Sequence, residues 1–202
     1  MPGGGRAEVS LSAPEAAVTV VTADADAATA LARTVAGLAP PISGQVWVGP
    51  RDVTALPPGA RQIGYVPRGG ALLPHLTVWQ NIEYLLWRQE TVHEIVRDWT
   101  SKLIYQLELG PVQDQRPHEI TGQQRMRGAL ARAAASQPEV LIFERPDPAV
   151  CDPLDDLLAR IEWPVAAAPA TVVFGDPVFG DPPAPAAAGH AVVVAGPARG
   201  GP

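Results

Sequence analysis

The sequence predicts an α/β fold in which a mostly parallel sheet carries an inserted helical lobe. Three observations predict it. Short β-branched runs recur at Val18–Val21, Val140–Phe143, Thr171–Phe174 and Val192–Val194, the composition of strands covered on both faces. Stretches of helical periodicity separate those runs, which is the alternation of a parallel sheet. A block of helices from 77 to 135 interrupts the alternation.

The elements follow in order. Val18–Val21 is the first strand, and Asp26 to Leu38 the first helix, with Leu31, Val35 and Leu38 at i, i+4 and i+7 and a stop at Gly37 and Pro40-Pro41. Val46-Trp-Val and Ile63-Gly-Tyr-Val are short strands divided by the Pro57-Pro-Gly turn. A helical stretch begins at Thr77 and runs through Trp87; the next, Thr91 to Leu109, places Ile95, Trp99, Leu103 and Leu107 in one stripe. Ile120-Thr-Gly caps a helix over Gln123 to Ser136. After the strand at Val140, Asp152 is the expected N-cap and Pro153 the first residue of another helix, with Asp155 and Asp156 in its first turn. Gly175 to Gly189, rich in proline and alanine, reads as loop before the last strand.

Composition narrows the function classes. Net charge is -6 at a pI near 5.1, which favours neither nucleic acid nor an anionic membrane. A single cysteine, Cys151, allows no internal disulfide. The opening Met-Pro-Gly-Gly-Gly-Arg has no apolar core, and no run of about 18 apolar residues occurs anywhere. The expectation is a cytoplasmic protein that reaches the inner face of a membrane only through a partner. No internal repeat is evident.

Several blocks stand in one order: Asp52-Val-Thr-Ala-Leu-Pro-Pro, Ile63-Gly-Tyr-Val, Ala71-Leu-Leu-Pro-His-Leu-Thr-Val, Asn81-Ile, Pro117-His-Glu-Ile-Thr-Gly and Ala129-Leu-Ala-Arg-Ala. At these spacings the chain resembles the nucleotide-binding domain of ABC transporters, most closely the importer type, over residues 8–196. The resemblance implies a P-loop NTPase-like fold in a single 202-residue domain: an α/β core at 7–76 and 136–196, a helical lobe at 77–135 and a tail at 197–202. In that family paired strands and an adenine-stacking aromatic come before the first strand found here. The first aromatic of this chain is Trp47, so the resemblance implies truncated N-terminal strands and no adenine platform.

The residues that would touch nucleotide in the family are the ones that depart from it. A phosphate loop of the form G-x-x-x-x-G-K-[ST] surrounds phosphate with backbone N–H groups, reaches it with lysine and holds magnesium with the hydroxyl. The equivalent stretch runs from Thr22 to Thr29. Thr22 and Ala27 replace glycines, Ala28 replaces lysine, and Thr29 alone survives. The chain's one lysine is Lys102. Asp24 and Asp26 add carboxylates, read first as caps of the following helix and alternatively as ligands for a cation or a basic molecule.

The glutamine that would sense magnesium falls at Arg68. The family's Leu-Ser-Gly-Gly-Gln signature is Ile120, Thr121, Gly122, Gln123 and Gln124, with a side chain at the second glycine. The Asp-Glu pair for magnesium and attacking water becomes Glu144 and Arg145. A guanidinium stays protonated and takes no proton from water. No histidine follows Phe174 until His190, expected as an ordinary surface or turn residue beside the last strand. His75, His93 and His118 are not spaced for a metal site. Asp147, Asp152, Asp155 and Asp156 suggest a divalent cation only until helix capping claims the last three. Trp79, Trp87 and Trp99 read as core, and otherwise as an apolar groove for a partner.

Degenerate Walker A and Walker B motifs therefore lead us to expect a pseudo-ATPase. It would have no catalytic residues, no metal and no cofactor beyond weak Mg-ATP, and would act as a binding, scaffold or regulatory protein. Expected partners are a second copy, an ABC ATPase or a permease subunit. Two alternatives stay open. One is an accessory ATP-binding subunit of an ABC transporter. The other is a repurposed enzyme or small-ligand binder using Asp24, Asp26, Arg68, Glu144 and Arg145. Pairing of Arg68 or Arg145 with Asp24, Asp26 or Glu144 is expected, because charges left unpaired in a partly buried cleft are costly.

Overall fold

The structure is a computed structural model that describes residues 17–22, 25–84, 86, 93–147, 153–163, 170–175 and 190–195. In chain order the elements are β1 (Ala17–Thr22), α1 (Ala25–Val35), β2 (Trp47–Val48), β3 (Arg51–Asp52), β4 (Ile63–Val66), α2 (Val78–Glu83), α3 (His93–Gln106), α4 (Gly122–Ala135), β5 (Val140–Glu144), α5 (Leu154–Ala159), β6 (Ala170–Gly175) and β7 (His190–Ala195). They fall into two compact units. The first holds Met1–Ile63, Glu139–Arg145 and Pro169–Pro202, the second Gly64–Pro138 and Pro146–Ala168. The second is wider than the helical block the sequence suggests, taking in α5 as well.

In the first unit β1 is the centre of a parallel ladder, with β6 on one side and β7 on the other. Val20 lies opposite Phe174 and Val193. β5 pairs parallel to β6, with Ile142 opposite Val172, giving the order β5-β6-β1-β7. The four β-branched runs thus share one sheet. Leu141, Ile142 and Phe143 are fully buried on β5. His190 is the first residue of β7, opposite Ala17, rather than a turn residue.

α1 packs on β5 and β6, but not through the stripe that its larger side chains suggest. Its buried face is Ala28, Ala32 and, just past its end, Ala36, while Leu38 is half exposed. Small residues let a helix approach a sheet closely, and close packing outweighs the bulk of Leu31 and Leu38. The helix also stops earlier than Leu38. Gly37 has φ +81, and Leu38 N–H donates to Arg33 C=O at 2.8 Å while Gly37 N–H donates to Thr34 C=O at 3.1 Å. That pair is a Schellman stop, which needs a left-handed residue. β2 and β3 form a separate antiparallel pair.

In the second unit α2 and α4 begin in the same way. Thr77 and Thr121 are N-caps whose hydroxyls accept from the N–H of Gln80 and Gln124, and each glutamine side chain accepts the cap N–H in return. α3 is amphipathic, but its core stripe is offset from the expected one. Val96, Trp99, Leu103 and Ile104 are buried, with Leu107 behind them, whereas Ile95 is 59% exposed. A spacing of four drifts around a 3.6-residue turn, so a strict four-residue stripe leaves the buried face at one end. Trp79 is intermediate in burial, and Trp87 lies outside the described residues. α5 has Pro153 at its N-cap with no side-chain cap, one residue from the expected register. Gly175, expected to open the loop, is the last residue of β6; Asp152, the rest of that loop at 176–189 and the helical residues expected at 85, 87, 91 and 92 are outside the described residues. No helix among the described residues is long and apolar enough to cross a membrane.

Candidate functional site

β1 ends at Thr22 and α1 begins at Ala25, so the stretch from Thr22 to Thr29 is a strand end, a two-residue link and a helix. Asp24 lies in that link, outside the described residues. Positions 25–28, where a phosphate loop would curl around its anion, form the first turn of α1. Asp26 is exposed in that turn, where a carboxylate complements the partial positive charge of the helix N-terminus. Ala28 is fully buried. Its methyl group faces the core.

The second turn of α1 aims Thr29 at the end of β5. Thr29 Oγ1 donates to Glu144 Oε1 at 2.7 Å, and Glu144 is 8% exposed. A short hydroxyl-to-carboxylate bond of this kind is charge-assisted. It joins two residues 115 positions apart in sequence. Arg145 follows Glu144 with φ +44, a left-handed conformation uncommon for a side chain of this size and typical of sites held by their surroundings. Neither Glu144 nor Arg145 is free of further interactions.

A residue that the motif reading passed over holds α1 from its other end. Arg61 is 3% exposed. Its guanidinium donates to the carbonyls of Thr34 at 3.0 Å and Val35 at 2.9 Å, in the last turn of α1, and to Thr54 at 2.8 Å and Leu56 at 2.9 Å. Among the described residues no carboxylate pairs with it. The negative end of α1 and four carbonyl dipoles take that place. Gly37 makes room, since a Cβ there would lie 2.5 Å from Arg61 Nε. Burial pushes the Arg61 pKa down, yet a guanidinium remains charged. An arginine just before the Ile63-Gly-Tyr-Val strand was the available sequence signal, but nothing in one sequence distinguishes it from a surface arginine.

The remaining sequence-predicted residues lie in the second unit. Arg68 is exposed in the turn after β4. Thr121, Gly122, Gln123 and Gln124 open α4; Thr121 and Gln124 are engaged with each other at 3.2 and 2.9 Å, and the Gln123 side chain is exposed. His75 and His118 are exposed. Among the described residues no three His, Cys, Asp or Glu side chains are grouped to hold a metal ion.

This strand–helix–strand arrangement can be set beside known proteins. The pattern of the ABC transporter family matches residues 28–147, more than half of the chain. The chain belongs to the ABC transporter family. Its relatives include the molybdate/tungstate import ATP-binding protein WtpC of Archaeoglobus fulgidus, 39% identical over 116 residues, covering 57% of this chain and 48% of WtpC. The sulfate/thiosulfate import ATP-binding protein CysA of Synechococcus elongatus is 40% identical over 116 residues, covering 57% of this chain and 34% of CysA. The ABC-family chain thus spans about a quarter to a half of the length of the curated relatives it matches. Among solved structures, a dimeric bacterial ABC transporter cassette, MJ0796, superimposes with a TM-score of 0.71 at 20% identity, covering 92% of this chain and 84% of that one. The same cassette in a post-hydrolysis state bound to ADP and Pi gives 0.67 at 21% identity, over 82% of this chain and 75% of that one. These two structures establish the ATP-binding-cassette fold.

The relatives are named as ATP-binding proteins and one neighbouring cassette is bound to ADP and Pi; against the magnesium and ATP that the resemblance implies, the residues present fit unevenly. Thr29 and Glu144 are hard oxygen donors that suit magnesium. The buried methyl of Ala28 offers a triphosphate nothing, and Asp26 repels it. Two like charges about 4 Å apart repel by roughly 1 kcal/mol in water and about 4 kcal/mol at a protein surface.

Proposed function

We propose that this ABC-family chain is a non-hydrolysing relative of importer ATP-binding domains that works as a binding, scaffold or regulatory protein. The observation that carries the reading is the buried methyl of Ala28 on a helix that starts at Ala25. Phosphoryl transfer depends almost wholly on positioning and electrostatic stabilisation of the transferring group, and the cation at the centre of that arrangement is replaced by core. Arg145 adds a second reason. A fixed cation beside Glu144 supplies no base for an attacking water. The pairing of Arg145 with Glu144 or Asp26 belongs to the same reading, as charge compensation in a site that no longer balances lysine against phosphate.

A second reading is favoured by the company the chain keeps. Its curated relatives are import ATP-binding proteins and its structural neighbours are dimers. An accessory subunit, paired with an active ABC ATPase or with a permease, would use the fold without turning over nucleotide itself, and would meet the membrane through that partner.

The test is phosphate release from Mg-ATP by the purified full chain, with Glu144→Ala alongside. Both proteins should release phosphate at the rate of buffer alone. Turnover by the wild-type chain that Glu144→Ala abolishes would overturn the proposal and restore the ATPase reading.

A further inference from the structure

α3 ends in a left-handed turn that its own residue does not favour. Glu108 N–H donates to Tyr105 C=O at 3.1 Å and Leu109 N–H to Ile104 C=O at 2.8 Å, the two bonds of a Schellman stop. Such a stop favours glycine at its left-handed position, yet Glu108 stands there with φ +56. A side chain in that conformation costs on the order of 1 kcal/mol and persists only where its surroundings hold it. The carboxylate supplies the hold. Its Oε2 accepts from Arg127 Nη1 of α4 at 2.6 Å and its Oε1 from Arg160 Nη1, just after α5, at 2.9 Å. Arg160 is thereby fixed in the lining of a cavity of about 580 Å³, together with Lys102, Tyr105, Gln106, Glu108 and Glu162. All six belong to the second unit, and the volume suits a small molecule.

The lining carries two cations and two anions. A small ligand of one sign gains little from walls that sum to zero, whereas a ligand carrying both signs gains at each end. The cationic end is Arg160 with Lys102, the chain's one lysine. Among the described residues Lys102 has no ion pair. Arg160 donates to Glu108 through Nη1 alone, which leaves Nε and Nη2 as donors. The anionic end is Glu162. Its N–H donates to Gln106 Oε1 at 3.4 Å, tying the chain after α5 to the end of α3, and among the described residues no cation pairs with its carboxylate. Tyr105 is 84% exposed, an aromatic ring on which a ligand can stack.

We propose that this cavity binds a small zwitterion, an α-amino acid with an aromatic or apolar side chain. Its carboxylate lies on Lys102 and Arg160, its ammonium on Glu162 and its side chain on Tyr105. Glu108 is a positioning residue, acting on the ligand through Arg160. The site uses none of the residues at 22–29, 144 and 145, so it stands whether or not the chain hydrolyses ATP.

The experiment is calorimetry on the purified full chain with L-phenylalanine as the probe. Beside it run 3-phenylpropionate and 2-phenylethylamine, which keep the ring and drop one charge each. L-Phenylalanine should bind saturably at submillimolar concentration, and each analogue about tenfold more weakly, the factor expected of one charged contact. Lys102→Met should weaken L-phenylalanine by about the same factor and leave 2-phenylethylamine unaffected. Glu162→Gln should weaken L-phenylalanine as well while sparing 3-phenylpropionate. Both side chains are exposed, so neither change threatens the fold. Glu108→Gly relieves the turn, since glycine takes that φ freely, but releases Arg160. It should keep the melting temperature near wild type and still weaken L-phenylalanine several-fold, where a purely structural Glu108 would leave binding alone. No saturable heat from L-phenylalanine up to about 10 mM, or 3-phenylpropionate binding as tightly as L-phenylalanine, would overturn the site.

Discussion

Among the described residues Arg61 is a cation held without an anion, by four backbone carbonyls. Truncating it leaves those carbonyls buried and short of donors, which costs more than the bonds themselves contribute. Arg61→Met should lower unfolding free energy by on the order of 3 kcal/mol, with Arg61→Lys recovering less than half. Urea denaturation midpoints measure both, and a loss under about 0.5 kcal/mol for Arg61→Met would mean the carbonyls find other donors. Gly37→Ala should destabilise as well, because its Cβ would meet Arg61 Nε at 2.5 Å and its φ is +81. Thr29 is the second residue whose role is visible only in three dimensions. Thr29→Val keeps the shape but removes the donor at 2.7 Å from Glu144, for a loss of about 1–2 kcal/mol at neutral pH, to be read from the same denaturation curves.

At the scale of elements, capping was legible for α2 and α4 but not for α5, where Pro153 and not Asp152 is the N-cap, and helix packing was legible only in part. Thr-x-x-Gln occurs at Thr77 and at Thr121, and both sites form reciprocal capping boxes, because a cap depends on residues within one turn. Thr121→Ala should therefore cost about 1 kcal/mol in a thermal or urea melt, with Thr121→Ser close to wild type. Glu108 shows the opposite case. It binds Arg127 of α4 at 2.6 Å and Arg160, just after α5, at 2.9 Å. The hydrogen bond from Arg127, then the charges of Arg160 and Arg127, hold its carboxyl below the ordinary value of 4.5. A depressed carboxylate pKa contributes stability above its unfolded value and loses it as pH falls through the folded value. The melting temperature of Glu108→Gln should therefore lie slightly below wild type at neutral pH, the small gap of an exposed pair, and the two should converge as pH falls from about 5 to about 3. A gap that widened with acid would contradict the pairing. In α1 the sequence named the helix but misassigned its face, and in α3 it placed Trp99, Leu103 and Leu107 correctly but not Ile95. Ala28, Ala32 and Ala36 are buried where Leu38 is not, and Ile95 faces solvent while Val96 is buried.

For the whole molecule, the reading of the cleft leads to a nucleotide prediction. On the proposed reading, with Ala28 buried and Asp26 exposed beside it, ATP should bind with a dissociation constant on the order of millimolar or weaker, about 4 kcal/mol of binding free energy or less. Calorimetry with Mg-ATP measures it, and micromolar affinity would favour the accessory-subunit reading. The sequence by itself determined the family, the α/β class and the four strands that share the sheet. Each of these rests on local composition or on motif order, which survive in one dimension. Only the tertiary structure decided that α1 starts at Ala25 and lies on the sheet through alanines, that Thr29 closes on Glu144, and that Arg61 and Arg132 spend their charge on backbone carbonyls rather than on acids. Those outcomes depend on how closely two elements approach and on which carbonyls are left without partners at their ends. Both are properties of packing, and neither is written in the spacing of residues along the chain.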